Sequence, residues 1–196
     1  MKRDIILAGV GGQGILSIAK VIGYAALKQN LFLKQAEVHG MSQRGGDVQS
    51  HLRISDKPIW SDLIPQGEAD VILSLEPLEA LRYLPCLAKD GWIITNSTPY
   101  INISNYPEEK RITDAIRKIA NNLILDADQL AKETGSPRSV NIVMLGAAIK
   151  TLGLSAEDVK DGLRDLFKDK HEKILENNLK AFELGMAVGR PVAGSR

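Results

Sequence analysis

The apolar and polar positions of the chain alternate between strand-like runs and helix-like repeats. Residues 4–8 form a short apolar run that ends in a glycine-rich segment, which predicts a strand followed by a tight turn. Apolar residues then recur at helical spacing over 15–26, and residues 31–37 fit a second strand. The first 37 residues therefore predict a β-α-β unit that begins a parallel sheet.

Further runs predict the rest of the sheet. Residues 48–54 alternate between apolar and polar positions, and a turn at 55–58 leads to Ile59 and Trp60, so we expect a hairpin between these two segments. Three more runs are candidates for buried strands, with helical segments between them: 69–75, 91–96 and 122–126.

The last third of the chain is predicted to be helical. Ser136 and Pro137 resemble a helix start, and Ser155 followed by Asp158 resembles a capping box. We therefore predict an α/β fold with a three-layer, mostly parallel Rossmann-like sheet and a helical C-terminal appendage over 137–189, in one domain that covers residues 1–196. Four apolar residues form a helical seam that packs either on this domain or on a partner subunit: Leu175, Leu179, Phe182 and Met186.

Composition and charge exclude several classes of partner. The 196 residues are 44% hydrophobic, and 25 Lys and Arg against 24 Asp and Glu leave a net charge of +1. That balance gives no electrostatic reason to bind nucleic acid or an anionic membrane. The apolar stretch 142–149 is too short to span a bilayer, and residues 1–4 lack the apolar core of a secretory signal. We therefore expect a cytoplasmic protein.

The residues that usually carry catalysis or metals are sparse. Cys86 is the single cysteine, so the chain lacks the thiolates that an iron–sulfur cluster requires. The three histidines, His39, His51 and His171, are dispersed, which argues against a zinc site. The lysine-bearing P-loop and G-x-S-x-G patterns are absent. The sequence therefore assigns no catalytic residue and no metal ligand to this chain.

The first candidate site is the glycine-rich turn after the first strand. Its G-x-G-x-x-G pattern precedes a predicted helix, whose free N–H groups favour a phosphate. Glu37, at the end of the second strand, is the nearest acid that could bind a ribose. In the alternative interpretation the glycines only allow close packing of strand and helix. The candidate residues are Gly9, Gly11, Gly12, Gln13 and Gly14.

The second candidate site follows the second predicted strand and therefore shares the carboxyl edge of the sheet with the first. Arg44 beside two glycines offers a guanidinium and backbone donors to a carboxylate or phosphate. Alternatively, the segment is an exposed turn in which Arg44 pairs with a local acid. The candidate residues are His39, Met41, Ser42, Arg44, Gly45 and Gly46.

Three further polar residues have two interpretations each. Asn141 lies in the first turns of an apolar helix, so it is either a structural contact or a ligand in the cleft. Asp126 and Asp128 follow the last predicted strand, where a carboxylate is either catalytic or, more often, the cap of the next helix.

Taken together, the segments 8–15, 37–46, 61–64 and 141–146 closely resemble the gamma-type domain of 2-oxoacid:ferredoxin oxidoreductases. Within that family, the sequence of 39–46 is similar to the small (beta) subunit of indolepyruvate:ferredoxin oxidoreductase. The resemblance implies oxidative decarboxylation of a 2-oxoacid with coenzyme A, giving an acyl-CoA and reduced ferredoxin. It also implies thiamine diphosphate, Mg²⁺ and iron–sulfur clusters.

The chain departs from that set of cofactors in a way that implies a partner. Family members that hold thiamine diphosphate and magnesium use a Gly-Asp-Gly motif with a downstream Asn, but here Gly46 and Asp47 are followed by Val48. We therefore expect that the chain holds none of these cofactors and docks on a larger catalytic subunit that does, with ferredoxin binding to that complex. Two alternatives stay open: a stand-alone NAD- or FAD-binding protein, and a non-catalytic scaffold subunit of a pyruvate, ketoisovalerate or 2-oxoglutarate oxidoreductase.

Overall fold

The chain forms an α/β fold whose last third is helical, as the hydrophobic pattern predicts. The computed structural model describes residues 1–39 and 45–189. Short 3₁₀ turns over Leu84–Cys86 and Pro137–Ser139 connect some of its elements. The strands and helices are β1 (Lys2–Val10), α1 (Ile15–Lys28), β2 (Phe32–His39), β3 (Asp47–Ser55), β4 (Ala69–Ser74), α2 (Pro77–Arg82), β5 (Leu87–Asn96), α3 (Glu109–Arg117), β6 (Asn122–Leu125), α4 (Ala127–Glu133), α5 (Val140–Leu152), α6 (Ala156–Phe167) and α7 (Glu172–Val188).

The described residues form a six-stranded sheet in the order β2-β3-β1-β4-β5-β6. The pairs β1–β4, β4–β5 and β5–β6 are parallel, whereas β3 runs antiparallel to both β1 and β2. The prediction of a mostly parallel α/β sheet is therefore confirmed. Because every strand except β3 points the same way, the carboxyl ends of β1, β2, β4, β5 and β6 lie at one edge of the sheet.

The position of β3 corrects the predicted hairpin. β3 pairs with β2 on one side and with β1 on the other, so both of its edges are occupied. Ile59 and Trp60, the expected hairpin partner, lie outside the sheet. That prediction is wrong because two residues after Pro58, which lacks an N–H group, offer far fewer ladder hydrogen bonds than β2. β1 and β2 are parallel, as the β-α-β pattern predicts, but β3 lies between them.

One face of the sheet carries most of the helices. α1 packs on β1, β2 and β3, and α5 packs on β4 and β5. α6 lies against α1, and α7 lies against α5. Ile5 and Leu7 of β1 point into this core, where Leu52 and Val143 are also buried. The predicted C-terminal appendage is thus helical, and its first helix belongs to the layer that touches the sheet.

The opposite face is covered by α2, which contacts β1, β4 and β5, and by α3, which packs against α2. Ile6 and Ala8 of β1 are buried on this side together with Ala80 of α2 and Ile112 of α3. β1 therefore buries residues on both faces, which explains why its sequence is a continuous apolar run rather than an alternating one.

Two helices begin at capping side chains that the sequence suggests. The Ser155 hydroxyl accepts a hydrogen bond from the N–H of Asp158 at 3.4 Å, at the start of α6. The Asp126 carboxylate accepts one from the N–H of Gln129 at 2.9 Å, at the start of α4. Asp126 therefore caps a helix, which was the more frequent of the two interpretations.

α5 is apolar on nearly all sides because it is buried between the sheet and α7. Its 13 residues are too few to cross a bilayer, which takes about 20. None of the helices within 1–39 and 45–189 combines the length and the apolar character that a membrane span needs.

The predicted apolar seam of α7 packs on the same chain. Phe182 is fully buried, and Leu179 and Met186 pack against the core. Glycines allow the two helices to approach closely: a Cβ on Gly146 of α5 would lie 2.1 Å from the Phe182 carbonyl oxygen, and one on Gly185 of α7 would lie 2.0 Å from the Val143 carbonyl oxygen. The contact between α5 and α7 thus requires the absence of side chains at two positions.

We predict that Gly146→Ala lowers the free energy of unfolding by about 3 kcal/mol, because a methyl group cannot fit against the backbone of α7 without moving it. Urea denaturation of the isolated chain measures this change.

Gly23→Ala is the matched control. A Cβ on Gly23, also inside a helix, meets only the flexible end of Leu33, at 3.1 Å. We expect a change of within about 1 kcal/mol in either direction, since alanine also favours the helix. Equal losses for the two variants would contradict the close approach of α5 and α7.

Candidate functional site

The first glycine-rich segment forms the turn between β1 and α1. Gly12 and Gly14 have φ angles of 100° and 85°, which residues with a side chain rarely adopt. Gly9 serves packing instead, because a Cβ there would lie 2.7 Å from the Gln13 Oε1 atom and 2.9 Å from the Ile15 Cδ1 atom. The glycines therefore serve turn geometry and close packing at different positions, and the binding of a phosphate at this turn stays a prediction.

The side chain of Gln13 ties this turn to β4. Its Oε1 atom accepts a hydrogen bond from the N–H of Val10 at 2.7 Å, and its Nε2 atom donates to the Leu75 carbonyl at 3.2 Å. Both ends of the amide are thus engaged within the chain. The contribution of Gln13 to the site is to fix the shape of the turn.

The N-terminus of α1 has no side-chain cap. Gly14 is the N-cap residue, and its carbonyl accepts hydrogen bonds from the N–H groups of Ser17 at 3.1 Å and Ile18 at 3.4 Å. The N–H groups of Ile15 and Leu16 precede this first helical bond and have no partner within the helix. They give this end of α1 a partial positive charge that favours an anion.

Asn141 connects the start of α5 to the start of α1. Its Nδ2 atom donates to the Gly14 carbonyl at 3.2 Å, and a Cβ on Gly14 would lie 2.5 Å from that nitrogen. Asn141 is half-buried, so this is the structural contact that the sequence offered as one of two interpretations. A role of Asn141 as a ligand in the cleft stays a prediction.

The second candidate segment begins and ends in the described structure. β2 ends at His39, and β3 begins at Asp47 after Gly45 and Gly46. The side chain of His39, together with residues 40–44, lies outside the described residues. Met41, Ser42 and Arg44 are therefore candidates on sequence grounds alone.

The two glycine segments are joined by a backbone hydrogen bond. The N–H of Gly11 donates to the carbonyl of Gly46 at 2.8 Å. This bond continues the β1–β3 ladder past Val10 and Asp47, its last registered pair. The structure thus brings together Gly9, Gly11, Gly12, Gln13, Gly14, Gly45, Gly46 and Asn141, as the sequence predicts. We call the part formed by Gly11, Gly12, Gly45 and Gly46 the glycine rim.

Behind the glycine rim lies a group of polar side chains that the sequence did not reveal. Asp47, at the start of β3, accepts one bifurcated hydrogen bond from the Tyr83 hydroxyl, whose oxygen lies 2.8 Å from each carboxylate oxygen. Glu79 is 6% exposed and binds Arg82 through two hydrogen bonds, of 2.6 and 3.0 Å. We call Asp47, Glu79, Arg82 and Tyr83 the carboxylate cluster.

Burial sets the protonation of this cluster. Burial raises the pKa of Glu79 and outweighs the guanidinium of Arg82, which lowers it, while the carboxylate of Asp47 adds to the rise. Burial and the hydrogen bond to Asp47 also raise the pKa of Tyr83 far above its usual range. Tyr83 therefore remains a hydrogen-bond donor at every physiological pH.

A second buried carboxylate fixes the helix that carries the cluster. Glu76 is 1% exposed, and its Oε2 atom accepts a hydrogen bond from the N–H of Glu79 at 2.8 Å at the start of α2. Its Oε1 atom accepts hydrogen bonds from the Tyr106 hydroxyl and from the N–H of Tyr100. The signal in the sequence was Glu76 before Pro77, a carboxylate at a helix start with proline in the first turn.

A cavity of about 410 Å³ opens beside the glycine turn, at the carboxyl edge of the sheet. Open α/β sheets commonly bind ligands at this edge. Asp128 in its wall accepts a hydrogen bond from the Asn96 Nδ2 atom at 2.7 Å, whereas Arg138 is exposed and has no ion-pair partner among the described residues. The residues that characterise the cavity are Gly12, Gln13, Asn96, Tyr100, Asp128 and Arg138.

The chemistry of the described side chains favours the binding of a ligand at this site. Burial raises the pKa of the Cys86 thiol, which disfavours the nucleophilic thiolate. Within the part of the chain that the structure describes, no group of three or more His, Cys, Asp or Glu side chains is placed to hold a metal. Uncapped N–H groups and a free guanidinium instead suit a ligand that carries carboxylate or phosphate.

Comparison with known proteins places the chain in a family. Residues 4–188 match the family model described as pyruvate ferredoxin/flavodoxin oxidoreductase. The chain is 40% identical over 197 residues to indolepyruvate oxidoreductase subunit IorB of Pyrococcus horikoshii, and the alignment covers 95% of this chain and 96% of that protein.

Solved structures agree with this assignment. The gamma subunit of a keto/oxoacid ferredoxin oxidoreductase from Geobacter sulfurreducens is 25% identical with a TM-score of 0.70, and the match covers 96% of this chain and 97% of that one. The 2-oxoglutarate:ferredoxin oxidoreductase of Magnetococcus marinus, solved with 2-oxoglutarate, coenzyme A and succinyl-CoA bound, shares the fold with a TM-score of 0.76 and 24% identity, over 96% of this chain and 31% of that one. The resemblance to the gamma-type domain is thereby confirmed, and the chain belongs to the pyruvate ferredoxin/flavodoxin oxidoreductase family.

Proposed function

We propose that this chain is the small subunit of a cytoplasmic 2-oxoacid:ferredoxin oxidoreductase that acts on indolepyruvate. It docks on a larger catalytic subunit, and the complex converts an aryl 2-oxoacid and coenzyme A to an acyl-CoA and CO₂, and the two electrons released reduce ferredoxin. Support comes from the similarity over almost the full length to subunits named for indolepyruvate, at 36–40% identity. The sequence of residues 39–46 favours the same branch of the family.

The observation that carries the proposal is the hydrogen bond between the N–H of Gly11 and the carbonyl of Gly46, 2.8 Å long. It makes one surface of two segments that are far apart in the sequence. Gly12 of that surface lines the cavity at the carboxyl edge of the sheet, and the hydrogen bond holds the end of the second segment next to it, so we infer that one ligand contacts both segments. We propose that this surface forms one wall of a cleft, with the catalytic subunit forming the other.

The donor set of this chain does not fit the cofactors that the family reaction requires. Asp47 would be the acid of a diphosphate and magnesium motif, but its carboxylate is engaged by Tyr83 and the next residue is Val48 rather than Gly. Cys86 is the single cysteine, which is too few for an iron–sulfur cluster. We therefore assign thiamine diphosphate, Mg²⁺ and the clusters to the catalytic subunit.

The residues of this chain suit the charged parts of the substrates instead. Indolepyruvate carries a carboxylate and coenzyme A carries phosphates, and both are anions. The uncapped start of α1 and the guanidinium of Arg138 are donors beside the cavity, and Arg44 supplies a further guanidinium in the segment between His39 and Gly45. Their proposed role is to bind and orient the anion, so that chemistry at the partner's cofactor begins from a fixed geometry.

The geometry disfavours the alternative of a stand-alone dinucleotide-binding protein. In such proteins the acid that binds the ribose lies on the strand next to the glycine turn. Here Glu37 lies on β2, and β3 separates it from β1. Two strand spacings amount to about 10 Å, compared with about 5 Å for an adjacent strand.

We predict that the isolated chain neither binds NAD or FAD tightly nor reduces ferredoxin with indolepyruvate and coenzyme A. Thermal-shift titration of the dialysed chain with NAD, FAD and coenzyme A tests binding, because a ligand of the native state raises Tm with its concentration. Saturable stabilisation by NAD at micromolar concentration, or turnover by the chain alone, would support the rival function.

We further predict that Arg44→Ala in the reconstituted complex lowers kcat/KM for indolepyruvate or coenzyme A by about 10- to 100-fold, the loss expected when a charge-assisted hydrogen bond is removed. Steady-state assays with each substrate varied in turn measure it, and size-exclusion chromatography checks that the complex assembles.

Arg117→Ala is the matched control, since Arg117 is an exposed arginine of α3 whose ion-pair partner among residues 1–39 and 45–189 is Asp114 of the same helix, at 4.0 Å. We expect unchanged kinetics for this variant. Unchanged kinetics for Arg44→Ala as well, in a complex that assembles normally, would instead favour the scaffold alternative.

A further inference from the structure

The glycine rim is held from behind by side chains of two other elements. Gly46 precedes Asp47, whose carboxylate accepts a bifurcated hydrogen bond from the hydroxyl of Tyr83, the residue after α2, at 2.8 Å to each oxygen. Gly45 is bound through its carbonyl, which accepts a hydrogen bond from the Asn102 side-chain amide. The residues on both sides of Gly46 are thus held, Asp47 by the end of α2 and Gly45 by the connection after β5.

These contacts affect the hydrogen bond between Gly11 and Gly46, which joins the two segments of the rim. Asp47 stands opposite Val10 in the β1–β3 register, one residue from each partner of the Gly11–Gly46 hydrogen bond. A shift of Asp47 therefore moves Gly46 with it and lengthens that bond. The position of the Gly46 backbone therefore depends on the side chain of Asp47, which lies behind the rim and outside the cavity wall.

The surroundings of Asp47 make the Tyr83 hydroxyl hard to replace. Asp47 is half-buried and faces Glu79, itself 6% exposed. Two neighbouring carboxylates repel each other when both are charged, and Arg82 already binds Glu79 with both of its hydrogen bonds. The Tyr83 hydroxyl donates to both oxygens of Asp47, so its loss removes a donor from a carboxylate that lies beside another carboxyl group.

Tyr83 is suited to hold a fixed position. It is 8% exposed and packs in the core on the α2 side of the sheet, and α2 is fixed at its start by Glu76. The phenol ring therefore has little freedom, and its hydroxyl is presented at one point in space.

We propose that Tyr83, acting through Asp47, is a positioning residue for the glycine rim, and that it determines how well the rim binds the anionic part of the substrate. This inference rests on the proposed function, since it assumes that the rim contacts a ligand in the assembled enzyme. Tyr83 itself touches no ligand, because its hydroxyl is directed to Asp47.

The test is Tyr83→Phe in the reconstituted complex with indolepyruvate, coenzyme A and ferredoxin. The variant keeps the ring and removes only the hydroxyl, so the core packing of α2 is preserved. We expect the KM of the substrate whose binding also depends on Arg44 to rise about tenfold, while kcat per assembled complex stays within about twofold. Tyr24→Phe, which removes a hydroxyl from the partly exposed Tyr24 of α1, is the matched control and should change neither value.

A double-mutant cycle tests the path through Asp47. Asp47→Asn removes the charge that Tyr83 stabilises, so the fold-changes in KM caused by the two substitutions should not multiply. The double variant, Tyr83→Phe with Asp47→Asn, should raise KM no more than the single variant with the larger effect. Hydrogen exchange by mass spectrometry on the complex gives a second readout. The peptide that contains Gly11 should exchange faster in Tyr83→Phe, and the peptide over 140–152 should not.

Each combination of results decides the matter. An unchanged KM for Tyr83→Phe, or single effects that multiply in the double variant, would overturn the inference, and so would unchanged exchange at Gly11.

If Arg44→Ala raises KM but Tyr83→Phe does not, only the positioning role fails. If neither changes KM, the proposed function fails as well, and if Tyr83→Phe alone raises KM, the positioning role stands and the role of Arg44 is withdrawn.

Discussion

The antiparallel pairing of β3 with β1 is the constraint on which the site depends. β3 enters the sheet between two strands that the chain forms earlier, so its first residues come to lie beside the end of β1. The ladder then runs one step further, through the Gly11 N–H and the Gly46 carbonyl. The second segment leaves the sheet at the end of β2, two strands from β1, and its return along β3 is what brings Gly45 and Gly46 beside Gly11.

Local signals in the sequence were sufficient for most elements and for one half of the site. The apolar run of β1, the glycines with φ angles of 100° and 85°, and the cap at Ser155 each act within a few residues, so a pattern can reveal them. Local patterns do not determine the order of the strands in the sheet. Whether the segment after the second glycine motif pairs with β1 or with Ile59 and Trp60 depends on residues that are distant in the chain, and both choices have similar local patterns.

The carboxylate cluster was missed for a related reason. Asp47, Glu79 and Tyr83 belong to two elements whose contact is set by packing on the sheet, and they follow no spacing that a motif could capture. Acids in a sequence are ordinarily exposed and tyrosines are intermediate in burial, so nothing marks these residues as buried. Asn141 shows the intermediate case: its position in an apolar helix indicated a satisfied polar contact, but its partner, the Gly14 carbonyl 127 positions away, became visible only in the structure.

Burial of the carboxylate cluster costs free energy, which indicates that the cluster has a role other than stability. Two carboxylates that face each other in a largely buried site destabilise a fold unless cations and donors compensate, and apolar residues of similar size often serve stability equally well. Here Arg82 and Tyr83 provide the compensation, with one partner for each acid. The arrangement fixes the direction of the Asp47 carboxylate. It thereby also fixes the position of the adjacent Gly46 carbonyl, which must stay within hydrogen-bond distance of the Gly11 N–H. If the chain acts by placing binding groups, as we propose, then the position of the Gly46 carbonyl, which joins the two segments of the rim, is a functional property.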